Sequence, residues 1–516
     1  MTNLATILTD SARRHPDRPA VRLDDVVLTF AELDEQSAVA AAWLLDRGVE
    51  RGDRVGIMLP NIVQFPVLYY AVLRAGATVV PMNPLLKAGE IEHYLRDSGA
   101  RLALVSPPAA PEARVAALAT GTEVVVVDDD TPVGTPGQEV RWTPAPRDDL
   151  DTAVILYTSG TTGTPKGAQL THANLRHNCA AFVGLVGLST EDVVMGCLPL
   201  FHAFGQSNGL NAALAAGACL TLVPRFDPTA VLRLVERDRV TVFEGVPTMY
   251  VTMLNAGPGV ADTSSLGLCI SGGASLPVEV LRGFEDTFGA PVLEGYGLSE
   301  TSPTATFNRP GRTKPGSIGV PIDGVELRLV ARDGTEAAPG EVGEIAIRGH
   351  NVMKGYWNRP EATAAAIVDG WFLSGDMATR DEDGFYFVVD RKKDLIIRGG
   401  YNIYPREIEE VLYGHPAVLE AAVVGVPHPT LGEEVAAAVT LRPAHAVSPE
   451  QLREYVKARV AAYKYPRHVW VAPALPKGPT GKILKRDIEP PADVASSVRS
   501  HPVLQASEAS GAGLLR

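Results

Sequence analysis

Tyr157-Thr-Ser-Gly-Thr-Thr-Gly-Thr-Pro-Lys-Gly167 is the stretch from which the rest of the chain can be read. It continues an apolar run, Thr152–Tyr157, that suits a buried strand. Its glycines let the backbone turn tightly, and successive exposed N–H groups in such a turn make a nest for an anion. Thr158, Ser159, Thr161, Thr162 and Thr164 add hydroxyl donors, and Lys166 adds a cation. A helix is expected from about Thr171. The unit then reads strand–loop–helix, with backbone donors and the positive end of a helix meeting at one point. It is not the GxxxxGK[ST] phosphate loop. Pro165 stands where Gly precedes the Lys, and Gly167 replaces the Ser or Thr that would hold magnesium, so a nucleoside triphosphatase of that type is disfavoured.

Upstream of this loop the chain alternates helices and strands. Val55–Leu59 and Ala77–Pro81 suit buried strands, and Ala38–Leu45 suits a packed helix. Residues 107–147 are rich in Pro, Ala and Asp and read as a loose connection. Downstream, Asp227-Pro228 starts a helix with a capping side chain, and Leu232 and Val235 supply its apolar stripe. Stretches around residues 317–349 and 384–398 are β-rich, and after residue 393 short α/β units follow. Pro405 opens a helix whose Ile408, Val411 and Leu412 share a face, with Gly414 placed to close it, and Ser448-Pro-Glu-Gln451 is a capping box. The fold class is α/β.

At 516 residues the chain exceeds what one core organises, so at least two domains are expected. The formal charge of −13 argues against nucleic acid as a main partner, although ATP needs only local positive charge. The four cysteines, Cys179, Cys197, Cys219 and Cys269, stand far apart without metal-ligand spacing and read as buried small hydrophobes in a reducing compartment. No signal peptide and no long apolar run is seen, so a cytoplasmic location without a transmembrane segment is expected.

The loop resembles that of the adenylate-forming superfamily, which holds acyl-CoA synthetases, peptide-synthetase adenylation domains and beetle luciferases. The resemblance covers about residues 10–488, because further motifs follow in the family's order: Leu198-Pro-Leu-Phe-His-Ala-Phe-Gly205, Ser271-Gly-Gly-Ala-Ser-Leu-Pro277, Glu294-Gly-Tyr-Gly-Leu-Ser-Glu-Thr301, Trp371-Phe-Leu-Ser-Gly-Asp376, Asp390-Arg-Lys-Lys-Asp-Leu-Ile396 and Pro476-Lys-Gly-Pro-Thr-Gly-Lys-Ile483. It implies a large N-terminal domain of α/β subdomains with a β-barrel-like subdomain (residues 1–390), a hinge (391–393), a small mobile α+β C-terminal domain (394–490) and a flexible tail (491–516). The activity it implies is activation of a carboxylic acid by ATP to an acyl-adenylate, then transfer to a pantetheine thiol.

The same resemblance distributes roles. Thr158, Ser159, Gly160, Thr161, Thr162 and Lys166 would bind phosphate. Glu300 would hold Mg2+, and Thr301 would donate to a phosphate oxygen. Gly272, Gly273 and Ala274 would back the adenine, with Gly295, Tyr296 and Gly297 opposite; Asp376 would take the ribose hydroxyls, with Arg391 as ribose or phosphate partner. Lys482 would bridge carboxylate and α-phosphate, and Lys393 falls at the hinge. His202 would orient the acid, whose chain would lie near Val246, Met249 and Gly297. Arg398-Gly-Gly-Tyr-Asn402, with Gly399, Gly400 and Tyr401, resembles the loop that lines the thiol channel.

His202 stands where amino-acid-activating relatives carry an Asp, so an α-amino acid is disfavoured. The visible pocket segments carry no Arg or Lys for a second carboxylate. A fatty acid is the leading substrate and an aromatic acid of the coumarate type the second. Glu244 departs from the small or apolar residue expected in Phe243-Glu-Gly-Val-Pro-Thr-Met-Tyr250. Pointing inward it would shorten the tunnel or meet a polar group on the substrate; pointing outward it would mean nothing. The thiol is CoA or the phosphopantetheine of an acyl carrier protein. An inactive acyl-adenylate-binding regulator is the alternative of another class, opposed by the intact Lys482, Glu300, Thr301 and Asp376. Oligomeric state is open, a homodimer among the options.

Overall fold

The computed structural model describes residues 3–128, 143–158, 164–478 and 481–492. The chain forms two compact units. The larger comprises residues up to Leu276, Val280–Ser374 and Arg380–Phe387; the smaller takes in Pro277–Glu279, Gly375–Thr379 and the chain from Val388 onward.

Two sheets dominate the large unit. A nine-stranded sheet runs in the order Val320–Pro321, Thr304–Phe307, Val292–Gly297, Leu268–Ser271, Val242–Gly245, Val193–Gly196, Cys219–Leu222, Pro19–Leu23, Val26–Thr29. Its central pairs are parallel. Parallel strands are covered on both faces, so they read as unbroken apolar runs, and all residues of Val242–Gly245 are buried, Glu244 included. A seven-stranded sheet holds Arg54–Met58, Thr78–Pro81, Leu102–Val105 and Thr152–Thr158, the last followed by Lys166–Thr171 and Gly355–Tyr356 at one edge. A five-stranded sheet around Val325–Val330 and Gly343–Gly349, which pair antiparallel, forms the β-rich remainder.

Two expectations need correction. Residues 107–147 are not a plain connection: Ala110–Thr120 is a helix, and Glu123–Val126 is an edge strand. Alanine is the strongest helix former, and Pro is tolerated in the first turn, so a composition that looked loose folds on a neighbouring helix. The stretch 129–142 lies outside the described residues. The second correction concerns the glycine-rich loop. It leads into strand Lys166–Thr171, which pairs antiparallel with Thr152–Thr158, and only then does helix His172–Val186 begin. Thr171 caps that helix, accepting from Asn174 N at 3.0 Å. Because Thr171 is in register with Thr152 and Lys166 with Thr158, the helix starts roughly 17 Å from the loop, at the other end of the hairpin. The N-terminus of this helix therefore does not face the loop.

In the small unit, strands Tyr401–Ile403, Ile396–Arg398, Gly432–Leu441 and Val418–His428 lie in that order, with His468–Val471 beside Gly432–Leu441. Helices Pro405–Tyr413 and Pro449–Lys457 bury Ile408, Leu412, Leu452 and Val456 against them. The capping box at Ser448 and Gln451 forms as read. Gly414 ends its helix with φ of −69°, so its glycine freedom is not used there.

One segment of the large unit is wound wide. Gly205–Asn211 is a π-helix and is wholly buried. A Cβ on Gly205 would lie 2.5 Å from Pro199 O and 2.8 Å from Leu198 O, both backbone. Gly205→Ala is therefore expected to cost about 1–3 kcal/mol in denaturant unfolding, as overpacked cores do; a neutral result would show that the π-helix yields.

Candidate active site

The hairpin Thr152–Thr171 projects Thr158 and Lys166 from the edge of the seven-stranded sheet. Thr158 Oγ1 donates to Glu300 Oε1 at 3.1 Å, and Tyr356 OH donates to the same oxygen at 2.9 Å. Among the described residues no hydrogen bond ends on Oε2. Glu300 is only 8% exposed, and Met353 N bonds its carbonyl at 2.8 Å. Lys166 Nζ lies 5.3 Å from the centroid of the Tyr356 ring. Burial first, then the Glu300 charge, raises the Tyr356 phenol well above its ordinary range. Tyr356 therefore stays protonated and keeps donating. Ser159, Gly160, Thr161 and Thr162 lie outside the described residues.

The base of the hairpin is pinned from the side. Tyr157 OH donates to Asp97 Oδ2 at 2.8 Å and its ring stacks on Tyr94 at 4.3 Å. Trp357 Nε1 donates to the Asp97 carbonyl at 3.0 Å, and Arg359 pairs with its carboxylate at 2.6 Å. His93 Nε2 meets Pro165 O at 2.9 Å. Loop stems rich in glycine need such anchors, because glycine loses the most conformational freedom on ordering.

Glu300 sits on the 3₁₀ turn Ser299–Thr301 after strand Val292–Gly297. Thr301 is engaged within its own turn. It is fully buried, donates to Pro303 O at 2.7 Å and accepts from Leu298 N at 2.8 Å. With one proton to give, that hydroxyl shapes the turn that carries Glu300. Gly297 is likewise a packing residue on its Cβ side, where an added atom would lie 1.6 Å from Pro303 O. A Cβ on Gly295 would meet the Phe307 ring at 2.5 Å, and one on Gly272 the Phe204 ring at 2.9 Å. Gly273 has φ of +79° beside Val246. Ala274 and Tyr296 are half-buried. His202 Nδ1 accepts from Phe204 N at 3.3 Å, which places the neutral ring's proton on Nε2.

The small unit gathers a second set. Arg391 Nε lies 3.3 Å from Asp376 Oδ1, and Asp376 is buried. Asp390 too is buried, and accepts from the N–H groups of Arg391 and Arg406 at 2.7 and 3.1 Å. Lys482 follows Gly481, whose φ is +80°, and Gly478 N bonds its carbonyl at 2.8 Å. Desolvation, with Arg391 adding to it, lowers the Lys482 ammonium to about 8, against the pull of Asp376 and Asp394. Lys393 stands exposed in the turn between strands. Gly399 and Gly400, with φ of +56° and +85°, make the two-residue turn joining Arg398 to Tyr401. Positive φ, not close approach, is what requires glycine there. Tyr401 is exposed and stacks on Tyr463 at 4.7 Å.

Residues 8–357 match the AMP-binding enzyme family, and residues 407–482 match the AMP-binding enzyme C-terminal domain. The chain belongs to the AMP-binding enzyme family. It is 40% identical to a long-chain-fatty-acid–CoA ligase of Bacillus subtilis, over 94% of this chain and 93% of that one. It is 41% identical to a feruloyl-CoA synthase of Amycolatopsis, over 92% and 96%. The crystal structure of a benzoate CoA ligase from Burkholderia xenovorans superposes with a TM-score of 0.88 at 32% identity, covering 94% of this chain and 99% of that one. This AMP-binding enzyme is thus an AMP-forming acid–thiol ligase of the acyl-CoA synthetase branch, for which ATP and CoA are substrates.

Tyr356 and Asp97 were missed in the sequence. The only signal for Tyr356 was a hydroxyl-bearing aromatic after Gly355, which lies at φ of +146°. Tyr356→Phe in this AMP-binding enzyme removes a charge-assisted hydrogen bond and is expected to lower kcat/KM for pyrophosphate release about 10- to 100-fold. Unchanged kinetics would mean that Glu300 is held without it.

Proposed function

We propose that the enzyme converts a monocarboxylic acid to its acyl-AMP on the Glu300 cluster and then to the CoA thioester. The observation that carries this is the pair of hydroxyls, Thr158 and Tyr356, orienting one buried carboxylate beside Lys166. The acid's oxygen attacks the α-phosphorus of ATP and pyrophosphate departs; the thiol then attacks the acyl carbon and AMP departs. Charge accumulates on the phosphate oxygens, so donors and cations already in place contribute most.

Glu300 Oε2 would hold Mg2+, which supplies charge neutralisation between the phosphates when bound. A magnesium ion takes one or two carboxylates and fills its remaining positions with phosphates and water. Among the described residues no group of three or more His, Cys, Asp and Glu is arranged to hold a metal. Lys166 and the loop hydroxyls receive the phosphates, Asp376 the ribose, and His202 orients the acid. Lys482 bridges carboxylate and α-phosphate, as a point cation can. Residues 391–393 act as the hinge about which the small domain exchanges Lys482 for the Gly399–Tyr401 turn between the two half-reactions. A fatty acid is the substrate read from the sequence, and it is supported by the Bacillus relative. A hydroxylated aromatic acid is the second reading, favoured by the buried carboxyl of Glu244. CoA is preferred to a carrier-protein arm because the similar proteins are CoA ligases.

Lys482→Ala is expected to abolish acyl-adenylate formation while leaving thioester formation from preformed acyl-AMP; equal loss of both would sink the hinge. The Lys482 cation exists below its pKa of about 8. Adenylation should therefore fall as pH rises through about 8, and Lys482→Arg, charged throughout, should move that limb upward.

A further inference from the structure

Glu244 points inward. It sits on Val242–Gly245 between Val193–Gly196 and Leu268–Ser271, and neighbouring side chains on a strand face opposite ways. Phe243 packs on Tyr250 and Phe284 on one face, with ring centroids at 5.3 and 6.5 Å. Glu244 takes the other face, where its Oε2 lies 3.4 Å from where a Cβ on Gly209 would be. Gly209 belongs to the π-helix that begins at Gly205, just after His202. Glu244 is 1% exposed, and neither carboxyl oxygen has a hydrogen-bond partner among the described residues.

A buried carboxyl with no partner costs several kcal/mol, and buried polar groups are paired in the great majority of cases. This one faces a residue that has no side chain. Apart from Gly209's chain neighbours and its own helix backbone, the Cβ position of Gly209 has only Glu244 Oε2 within 4 Å. The surroundings are those assigned to the acid. Val246 and Met249 follow on the same segment, Cys197 Sγ donates to the Glu244 carbonyl at 3.3 Å and lies 4.0 Å from Met249 Sδ, and the Phe204 ring closes on Gly272. Other orphaned polar atoms lie on the same elements, Ser207 Oγ and Gln206 Oε1 on the π-helix and Ser271 Oγ on the neighbouring strand, and a site that orients a ligand sets a few such groups among apolar walls.

We propose that Glu244 is a specificity-determining residue: its carboxyl pairs with a hydroxyl carried by the substrate acid at the end remote from the carboxylate. The proposal rests on the ligase reading above and deepens it. Burial pushes Glu244 up to about 8, so at neutral pH the side chain is a neutral acid that both donates and accepts, as a hydroxyl does. A hydroxyl completes that pair without bringing a second charge into the core, whereas an ammonium would have to be desolvated along with it. A second carboxylate on the substrate would find no cation here. The hydroxyl can come from a para-hydroxylated phenylpropenoic acid or from an ω-hydroxy fatty acid.

The test compares kcat/KM for pyrophosphate release and CoA thioester formation by the full-length enzyme on two matched pairs: phenylpropenoic acid with its para-hydroxy derivative, and a saturated fatty acid with its ω-hydroxy derivative. The hydroxylated member of at least one pair should be preferred about 10-fold or more, since a site built around a hydroxyl rejects the analogue lacking it. The pair that shows the preference identifies the source of the hydroxyl. Glu244→Leu should reverse the preference, and Glu244→Gln, which still donates and accepts, should keep most of it. If the Leu variant does not fold, the wild-type ratio and the Gln variant decide. Equal use of both members of each pair by the wild type overturns the proposal while leaving the ligase reading intact. So does an unchanged ratio in a folded Glu244→Leu protein, or a preference for an ω-amino acid over the ω-hydroxy acid. Absence of pyrophosphate release from every acid tried overturns both.

Discussion

A buried carboxylate must be hydrogen-bonded where it stands, and in this enzyme that constraint ties together segments nearly two hundred residues apart. Glu300 is held by Thr158 from the glycine-rich hairpin and by Tyr356 from a short edge strand. Each contact fixes more than the carboxylate. The Thr158 bond sets where the hairpin ends, and the Tyr356 bond sets the strand on which Trp357 reaches Asp97. The turn bearing Glu300 in turn depends on Thr301 and on the absence of a side chain at Gly297. Charge, packing and loop order are one arrangement.

The small unit meets a different requirement. Under the proposed hinge, Lys482 would neutralise charge in one half-reaction and leave for the other, which a locked salt bridge would oppose. Lys482 is desolvated beside Arg391, with Asp376 and Asp394 opposing that effect, so its cation is kept but not strongly stabilised. Nearby lysines that serve structure are paired directly: Lys485 with Glu409 at 2.8 Å and Lys477 with Glu420 at 2.7 Å. The contrast is the one expected if Lys482 is the working cation.

Glycine is used here in two physically distinct ways. At Gly399 and Gly400 the backbone demands positive φ. At Gly205, Gly272, Gly295 and Gly297 the demand is space, taken by backbone or by an aromatic ring. Gly209 belongs to neither group, since its missing side chain leaves room beside the Glu244 carboxyl. A core that leaves an acid unpartnered there gives up stability, and the proposed substrate hydroxyl would restore it.

Local signals in the sequence determined the class of fold, the order of motifs and the chemistry. Apolar runs such as Val55–Leu59 mark buried strands because burial on both faces removes polar alternation, and Asp227 and Ser448 mark helix starts because their caps act within a few residues. Where the energetics are long-range, the sequence was silent or misleading. The helix after Thr171 was placed at the phosphate loop because the hairpin between them cannot be seen without strand pairing. Nothing local shows that Pro303 O and Leu298 N engage the Thr301 hydroxyl. Tyr356 and the inward direction of Glu244 emerged only from tertiary structure. Which atoms a side chain meets depends on how distant segments pack, and that is decided by the whole core at once.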